Sequence, residues 1–418
     1  MREKTSIQRN GGFVKEPARV HNRKMFGRHR RVYVDYASAT PLIPEALRAM
    51  NDAEKCFGNP GSIHTEGVVA MQTLERAREG VAHELGCKSR QIIFTSGLSE
   101  SNNLAILGFA RRRGISGESL TGTHWITSSI EHDSVLECFG EIERLGGSVT
   151  FVDPHPNGMI TPESIALALR AETVLISIGW GNNEIGTVQE LSKIARVIRA
   201  HEKKYQTRIF FHSDAGQAPL YISPQVHTLG VDMLALGSGK LYGPRSIGAL
   251  YVGDAQSIAA LILGGGQEKG LRAGTETVVP AIGFAKALEV ISKERSEEGK
   301  RLRILRDDFA REIIARIPGA VINGDLRHAL PHMLNISVPG DRNGEYLVLQ
   351  LDHAGVALST KSACRAGEAR SHVVSALAGD SPTIGWRAEN TLRFSFGRAT
   401  TDREIAYASK ALSRLFPH

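Results

Sequence analysis

The sequence lacks the features that mark several classes of protein. It has four cysteines with no Cys-x-x-Cys pair, and no uncharged apolar run approaches the roughly 18 residues of a membrane-spanning helix. A cysteine-based zinc site and a membrane span are therefore not expected. Pro331 separates His328 from His332, so these histidines do not form a helical metal-binding pair. The cysteine usage predicts a reducing compartment, the cytoplasm.

Positive charge is concentrated at the N-terminus. The chain of 418 residues has a net charge of +7, with 51 basic and 44 acidic side chains. Residues 1–31 hold ten Lys or Arg and two Glu, a balance of +8, which leaves 41 basic and 42 acidic side chains elsewhere. This composition predicts a solvated, disordered tail, without the apolar core of a secretory signal. Nucleic-acid binding is not expected apart from a possible role of this tail.

Helical and strand-like segments alternate from about residue 65 to 255. A helix is predicted over 67–85, before Gly86. The apolar runs that predict strands are 91–95, 124–127, 148–152, 173–178, 208–212 and 233–236. This alternation predicts an α/β fold with a mostly parallel sheet between helices, whose ligands bind at the carboxyl ends of the strands.

The C-terminal third differs from this pattern. A long helix is predicted over 281–317, because the segment opens just after Pro280, where proline is well tolerated, and closes before Pro318. We expect it to join a large domain, 48–280, to a smaller α+β domain made of 32–47 and 281–418. Strand-like runs in the smaller domain lie at 335–338 and 391–396.

An aspartate and a lysine follow two consecutive apolar runs within residues 209–243. Asp214 ends the first run, and Lys240 follows the second in a glycine-lined turn. A pyridoxal phosphate site needs such a pair, a lysine for the Schiff base and a carboxylate for the pyridine nitrogen. Most Asp and Lys at strand ends are ordinary surface residues, so the pair alone leaves the function open. A nucleotide P-loop is excluded, because Leu234 and Leu241 occupy positions that it reserves for Gly and Ser or Thr.

Eleven short motifs extend the pattern over most of the chain. They are VYVDYASATP (32–41), FGNPGSIH (57–64), IIFTSGLSESNNLAI (92–106), SSIEHDSVL (128–136), GNNEIGTVQ (181–189), HSDAGQ (212–217), KLYGPRSIGALYV (240–252), GGGQEKGLRAGTE (264–276), NGD (323–325), SACRAGE (362–368) and LRFSFGR (392–398). In this order the sequence resembles the cysteine desulfurases, fold-type I enzymes of the class-V aminotransferase superfamily, over about residues 32–410.

The resemblance implies a pyridoxal 5'-phosphate site. Lys240 would hold the cofactor and later act as the base at the substrate Cα. Asp214 would pair with the ring nitrogen and Gln217 with the phenolic oxygen. Asn183 would fix the ring and the substrate, and His132 would stack on the ring and relay protons.

The phosphate of the cofactor would lie at a helix N-terminus. Ser99 and backbone N–H groups of the turn 97–101 would bind it there. Thr275 would reach the phosphate of the other subunit, which implies a homodimer.

The resemblance also implies a substrate, L-cysteine, and a sulfur acceptor. Cys364 would attack the substrate sulfur and carry it as a persulfide, and L-alanine would be the second product. Lys361 and Arg365 near Cys364 favour the thiolate. Arg393 would bind the substrate carboxylate. The sulfur would pass to a partner protein for iron–sulfur cluster assembly or tRNA thiolation.

Several positions depart from the family pattern. Gly237 and Gly239 stand where Ser (or Thr) and His are common, and Gln267 stands where a His is common. Ser238 is the candidate replacement for one lost phosphate ligand. Two alternatives stay open at this point. One is a selenocysteine lyase or another class-V aminotransferase, in which Cys364 is incidental. The other is a cofactor-poor scaffold protein, whose phosphate site has lost side chains at Gly237 and Gly239.

Overall fold

The computed structural model describes residues 31–361, 370–378 and 385–416. The strands of these residues are β1 (Val32–Tyr33), β2 (Ile92–Thr95), β3 (His124–Ser128), β4 (Ser148–Val152), β5 (Thr173–Ser177), β6 (Phe210–Asp214), β7 (Met233–Gly237), β8 (Gly248–Val252), β9 (Val321–Ile322), β10 (Met333–Ser337), β11 (Val356–Ala357) and β12 (Thr391–Ser395). The helices are α1 (Pro44–Ala53), α2 (Thr65–Leu85), α3 (Leu98–Ile115), α4 (Asp133–Arg144), α5 (Pro162–Ala168), α6 (Leu191–Tyr205), α7 (Val226–Leu229), α8 (Val278–Arg316), α9 (Gly344–His353), α10 (His372–Ala378), α11 (Trp386–Glu389) and α12 (Asp402–Ser413).

Seven strands form the central sheet in the order β2-β8-β7-β6-β5-β3-β4. The four pairs from β7 to β4 are parallel, and β8 runs antiparallel to both of its neighbours. The prediction of a mostly parallel α/β sheet is confirmed. Strand β6 begins at Phe210, two residues later than predicted. The reason is that the backbone N–H of Ile209 donates to the Glu202 carboxylate rather than to a neighbouring strand.

Helices cover both faces of this sheet. On one face, Leu74 of α2 and Phe284 of α8 belong to an apolar core with the strands. On the other face, Phe109 of α3 and Phe139 of α4 form a second core. Apart from the edge strand β4, which is partly exposed, the strands are therefore largely buried on both sides. This explains why their sequences are continuous apolar runs instead of alternating ones.

The long helix α8 passes from one core to another. It begins three residues before the predicted start and holds Pro280 in its first turn, where no backbone donor is lost. Phe284 lies in the core of the central sheet, whereas Leu302 and Phe309 lie in a core with β10 and β12. The predicted boundaries of the two domains stay a prediction. Within the described parts of the chain, none of the helices combines the length and the apolar character of a membrane span.

Candidate active site

Polar side chains gather at the carboxyl edge of the central sheet. His132 follows β3, Asn183 follows β5, Asp214 ends β6 and Lys240 follows β7. Because β3, β5, β6 and β7 are parallel neighbours, these residues emerge along one edge, where open α/β sheets bind their ligands.

Lys240 and Gln217 meet on one backbone carbonyl. Lys240 Nζ donates to the carbonyl oxygens of Ala37, at 2.8 Å, and Ser38, at 3.1 Å. Gln217 Nε2 donates to the same Ala37 oxygen at 2.9 Å. Gln217 Oε1 is buried and has no hydrogen-bond partner in the described part of the chain. The segment after β1 thus brings the amine and an unsatisfied amide oxygen together.

A chain of hydrogen-bonded side chains, called here the side-chain network, links Asp214, Asn102, Ser134 and His132. Asn102 Nδ2 donates to Asp214 Oδ2 at 2.6 Å and to Ser134 Oγ at 2.8 Å. Ser134 Oγ lies 2.9 Å from His132 Nδ1, which also accepts the Ser134 backbone N–H at 3.1 Å. The sequence predictions named Asp214 and His132 but missed Asn102 and Ser134, although both lie inside recognised motifs.

Burial changes the protonation of the groups beside Asp214. Burial is the main reason why the pKa of His132 falls below its ordinary value, although the nearby charge of Asp214 opposes this effect. Burial raises the pKa of Glu131 to about 7, against hydrogen bonds from Ser128 Oγ and the Gly179 N–H. Burial therefore favours the neutral forms of two consecutive residues, the Glu131 carboxyl and the His132 imidazole.

The start of α3 packs directly against the turn before Lys240. We call residues 237–239 the glycine turn. A Cβ atom on Gly237 would lie 2.8 Å from Leu98 Cβ, so the helix start occupies the space of a side chain there. A Cβ on Gly239 would lie at an ordinary contact distance, 3.6 Å, from Arg245 Cγ. The departure from the family pattern at Gly237 thus has a steric cause, whereas Gly239 has room.

The side chains predicted near the helix start differ in exposure. Ser99, in the first turn of α3, is exposed, and the N-cap residue Gly97 offers no side-chain cap to the helix. Ser238 Oγ is buried without a hydrogen-bond partner and points at Gly243, where an added Cβ would lie 2.1 Å away. These contacts favour a packing role for Ser238, and its predicted phosphate role stays a prediction.

Arg393 is buried rather than on the surface. Its side chain lies on β12 and is 1% exposed. The guanidinium donates to Asp35 Oδ1 at 2.9 Å, to Ser38 Oγ at 2.6 Å and to the Asn183 carbonyl at 2.9 Å. The structure thus brings Arg393 close to Asn183 and to Ser38, whose carbonyl oxygen accepts a hydrogen bond from Lys240.

The loop 264–276 is fixed by a buried ion pair. Glu268 accepts two hydrogen bonds from Arg78, at 2.6 and 2.8 Å, and one from the Phe94 N–H at 2.9 Å. Gln267 Oε1 accepts the Gly274 N–H at 3.2 Å, so its side chain holds the loop itself. Thr275 is exposed, and the structure of the single chain does not join it to the other predicted site residues that are described.

Cys364 lies outside the described residues, as does Arg365, but both flanks of their segment are described. Before it, Lys361 Nζ donates to Glu345 Oε1 at 2.9 Å. After it, Ser371 Oγ donates to Glu184 Oε2 at 2.6 Å, and His372 Nε2 lies 3.0 Å from the Glu131 carbonyl oxygen. The second flank is therefore attached to the loops that follow β3 and β5.

Known proteins similar to this chain identify its family. The family model of class-V aminotransferases matches residues 32–407. The cysteine desulfurase IscS of Dictyoglomus turgidum is 42% identical over 92% of this chain and 94% of its own. The chain belongs to the cysteine desulfurase family of class-V aminotransferases. The predicted family, fold class and enzyme class are confirmed.

Two solved structures agree with this family. A structure described as a NifS-like protein has a TM-score of 0.83 and 31% identity, over 92% of this chain and 99% of its own. A structure described as SspA in complex with cysteine has a TM-score of 0.72 and 34% identity, over 87% and 98% of the two chains. The cysteine desulfurase family uses pyridoxal phosphate. In the described residues of this family member, no cluster of three or more His, Cys, Asp or Glu is arranged to hold a metal ion.

Proposed function

We propose that this cysteine desulfurase converts L-cysteine to L-alanine at the carboxyl edge of the central sheet, with pyridoxal phosphate on Lys240 and the sulfur passed to Cys364. The observation that carries the proposal is the convergence of Lys240, Gln217 and the side-chain network on one edge of a parallel sheet. The structure described as SspA with cysteine, a similar protein, supports cysteine as the substrate.

The residues at this edge fit the cofactor. Gln217 Oε1 is a buried polar atom without a hydrogen-bond partner among the described residues, and the hydroxyl group of a bound molecule would satisfy it. Asp214 offers a carboxylate for a ring nitrogen, and His132 an imidazole beside it. When bound, pyridoxal phosphate supplies an aldehyde that reacts with amines and a ring that accepts electrons from the attached carbon.

Backbone groups would supply most of the contacts to the phosphate. The first N–H groups of α3 have no side-chain cap, so they are available to an anion together with the positive end of the helix dipole. The Ser99 hydroxyl adds one donor from the first turn. In the glycine turn, Ser238 alone has a side chain, and its hydroxyl faces Gly243.

Lys240 acts first as the amine that holds the cofactor and then as the base that removes the proton from the substrate Cα. Its two carbonyl partners, Ala37 and Ser38, accept hydrogen bonds from the ammonium form and keep Nζ at the edge of the sheet. Arg393 binds the substrate carboxylate. It does so while it is already paired with Asp35, which fixes the guanidinium in place and lowers its net attraction for a second anion.

Cys364 is the sulfur acceptor in this proposal. Cys87 and Cys138 are poor nucleophiles, because burial raises the pKa of Cys87 to about 11 and that of Cys138 to about 12. Overall, the C–S bond of L-cysteine breaks and an S–S bond forms at Cys364. The thiol hydrogen of Cys364 balances the new C–H bond of L-alanine, so no external oxidant or reductant is needed.

The active form in this proposal is a cytoplasmic homodimer that delivers sulfur to an acceptor protein for iron–sulfur cluster assembly or tRNA thiolation. Phe57 and Ile63, in the loop before α2, are 82% and 98% exposed in the single chain. Such apolar exposure is typical of an interface. Thr275 is exposed as well, on a loop fixed by the Arg78–Glu268 pair, and in the dimer it would reach the phosphate bound by the other subunit.

One experiment tests the proposed function. The purified protein is incubated with L-cysteine, alanine is quantified, and the peptide that contains Cys364 is examined by mass spectrometry for an added sulfur atom. We expect alanine from the native chain, a persulfide on Cys364 and loss of both in Cys364→Ala. Alanine production that is unchanged in Cys364→Ala would contradict the proposal and indicate another class-V reaction.

A further inference from the structure

The hydrogen bonds of the side-chain network have a fixed direction. A carboxylate oxygen only accepts, so Asn102 must present its amide nitrogen to Asp214. The second hydrogen of the same nitrogen points at Ser134 Oγ, which therefore accepts. The Ser134 hydroxyl hydrogen is then left to donate to His132 Nδ1, 2.9 Å away.

The same direction determines which nitrogen of His132 carries the hydrogen. Nδ1 receives the Ser134 backbone N–H at 3.1 Å as the cap of α4, in addition to the Ser134 hydroxyl. An imidazole nitrogen that accepts hydrogen bonds is unprotonated, so the neutral ring of His132 carries its hydrogen on Nε2.

We propose that Asn102 is a positioning residue, which acts through Ser134 to keep His132 neutral with its hydrogen on Nε2. While Asn102 donates to it, the Ser134 hydroxyl cannot turn its lone pair toward a protonated Nδ1. Without Asn102 the hydroxyl can rotate, accept from Nδ1–H and stabilise the imidazolium. In the native chain, by contrast, His132 is neutral and offers its Nε2–H as a hydrogen-bond donor in the reaction. This inference rests on the proposed function only in placing His132 at the cofactor.

Charged or titratable groups of the described residues act on His132 from the elements around it. Asp214 at the end of β6 and Asp133 in α4 favour the imidazolium, and Lys240 after β7 and His372 in α10 oppose it. None of them is removed when Asn102 or Ser134 is changed. A change in the titration of His132 in those variants therefore reports the hydrogen bonds and not a lost charge.

The test measures the pKa of His132 in the full chain, as purified, from the pH dependence of hydrogen exchange at C2 of its imidazole, read by mass spectrometry. We expect Asn102→Ala and Ser134→Ala each to raise this pKa by roughly one unit, the value of one hydrogen bond. Two variants are controls. Ser134→Thr keeps the hydroxyl group. Asn103→Ala removes the neighbouring amide, whose nitrogen donates to the carbonyl oxygens of Ser99 and Ser134 and not to the network side chains. Both are expected to titrate like the native chain.

The inference is overturned if folded Asn102→Ala or folded Ser134→Ala titrates like the native chain, or if Ser134→Thr shifts as far as Ser134→Ala. If Asn102→Ala does not fold, the two Ser134 variants decide. The proposed function fails separately, when the native chain binds no pyridoxal phosphate. The titration of His132 in the same preparations is read without reference to activity.

Discussion

The side-chain network and the glycine turn lie at the same edge of the sheet but are built differently. In the network, Asn102 satisfies both Asp214 and Ser134 through its amide nitrogen, and Ser134 reaches His132. In the glycine turn, the only side chain with a polar atom, Ser238, faces Gly243. The comparison teaches that side-chain contacts orient the groups proposed to bind the cofactor ring, whereas the proposed phosphate site relies on the backbone of α3.

The largest effect is expected where the two regions meet, at Lys240. We expect Lys240→Ala to lower desulfurase activity by about three orders of magnitude or more, because the side chain supplies both the covalent amine and the base. The rate of alanine formation measures this effect. Lys193→Ala, a change of an exposed lysine on α6, is the control and should be as active as the native chain. Retained activity in Lys240→Ala would remove Lys240 from the reaction.

A second prediction concerns the loop 264–276, which carries Thr275. Glu268→Gln removes the negative charge from a buried, two-bonded pair with Arg78 and leaves the arginine paired with the partly exposed Glu75, at 2.9 Å. We expect the free energy of unfolding to fall by about 3 kcal/mol, the low end for a buried pair that loses one partner. Glu45→Gln, which breaks the exposed pair with Arg48 at 3.3 Å, should cost at most about 1 kcal/mol. Chemical denaturation measures both, and equal losses would contradict the prediction.

Glu131, beside the network, should make stability depend on pH. Its folded pKa of about 7 exceeds the ordinary 4.5, so the folded chain binds more protons between these values and loses stability as the pH rises through them. Glu131→Gln cannot ionise. Over the range from pH ~4.5 to pH ~8, the native chain should therefore lose about 3 kcal/mol of its free energy of unfolding that the Glu131→Gln variant keeps. Denaturation at several pH values tests this, and a constant difference would show that Glu131 ionises normally.

The glycine turn offers a matched pair of substitutions. Gly237→Ser forces a Cβ against Leu98 and should lower the free energy of unfolding by about 1–3 kcal/mol. Gly239→Ser meets only Arg245 Cγ at 3.6 Å and should change it by at most about 0.5 kcal/mol. The hydroxyl of Gly239→Ser should also tighten pyridoxal phosphate binding about tenfold, as expected for one bond to a charged group. If both variants are equally stable, the steric account of Gly237 is wrong.

The smallest effect is expected at Ser238. Ser238→Ala removes a buried hydroxyl that has no partner in the described part of the chain, so stability should stay the same or rise by about 1 kcal/mol. Cofactor affinity, measured by titration of the cofactor-free chain, should not change. A clear loss of affinity would instead support the phosphate role predicted from the sequence.

Much of the fold was predictable because buried parallel strands are short, continuous apolar runs. The sequence also indicated Asp214 and Lys240, since residues that end neighbouring strands of a parallel sheet converge. The partners of Asn102 were not predictable, because its helix, α3, must first pack beside β6 and α4 before one amide can reach both Asp214 and Ser134.

The glycine turn shows a second limit of the sequence. The absence of a side chain at Gly237 suggests a lost phosphate ligand, and only the packing of Leu98 shows that no side chain fits there. Arg393 shows a third, because an alternating strand pattern places it opposite Phe394 but does not reveal that it is buried against Asp35. Cys364 lies outside the described residues, so its role rests on the family motif.

The most direct measurement traps the cofactor on its lysine. The purified protein is supplied with pyridoxal phosphate, reduced with borohydride and digested, and the peptides are analysed by mass spectrometry. We expect the reduced cofactor to be attached to Lys240. Attachment to a different lysine, or no attachment at all, would contradict the proposed role of Lys240.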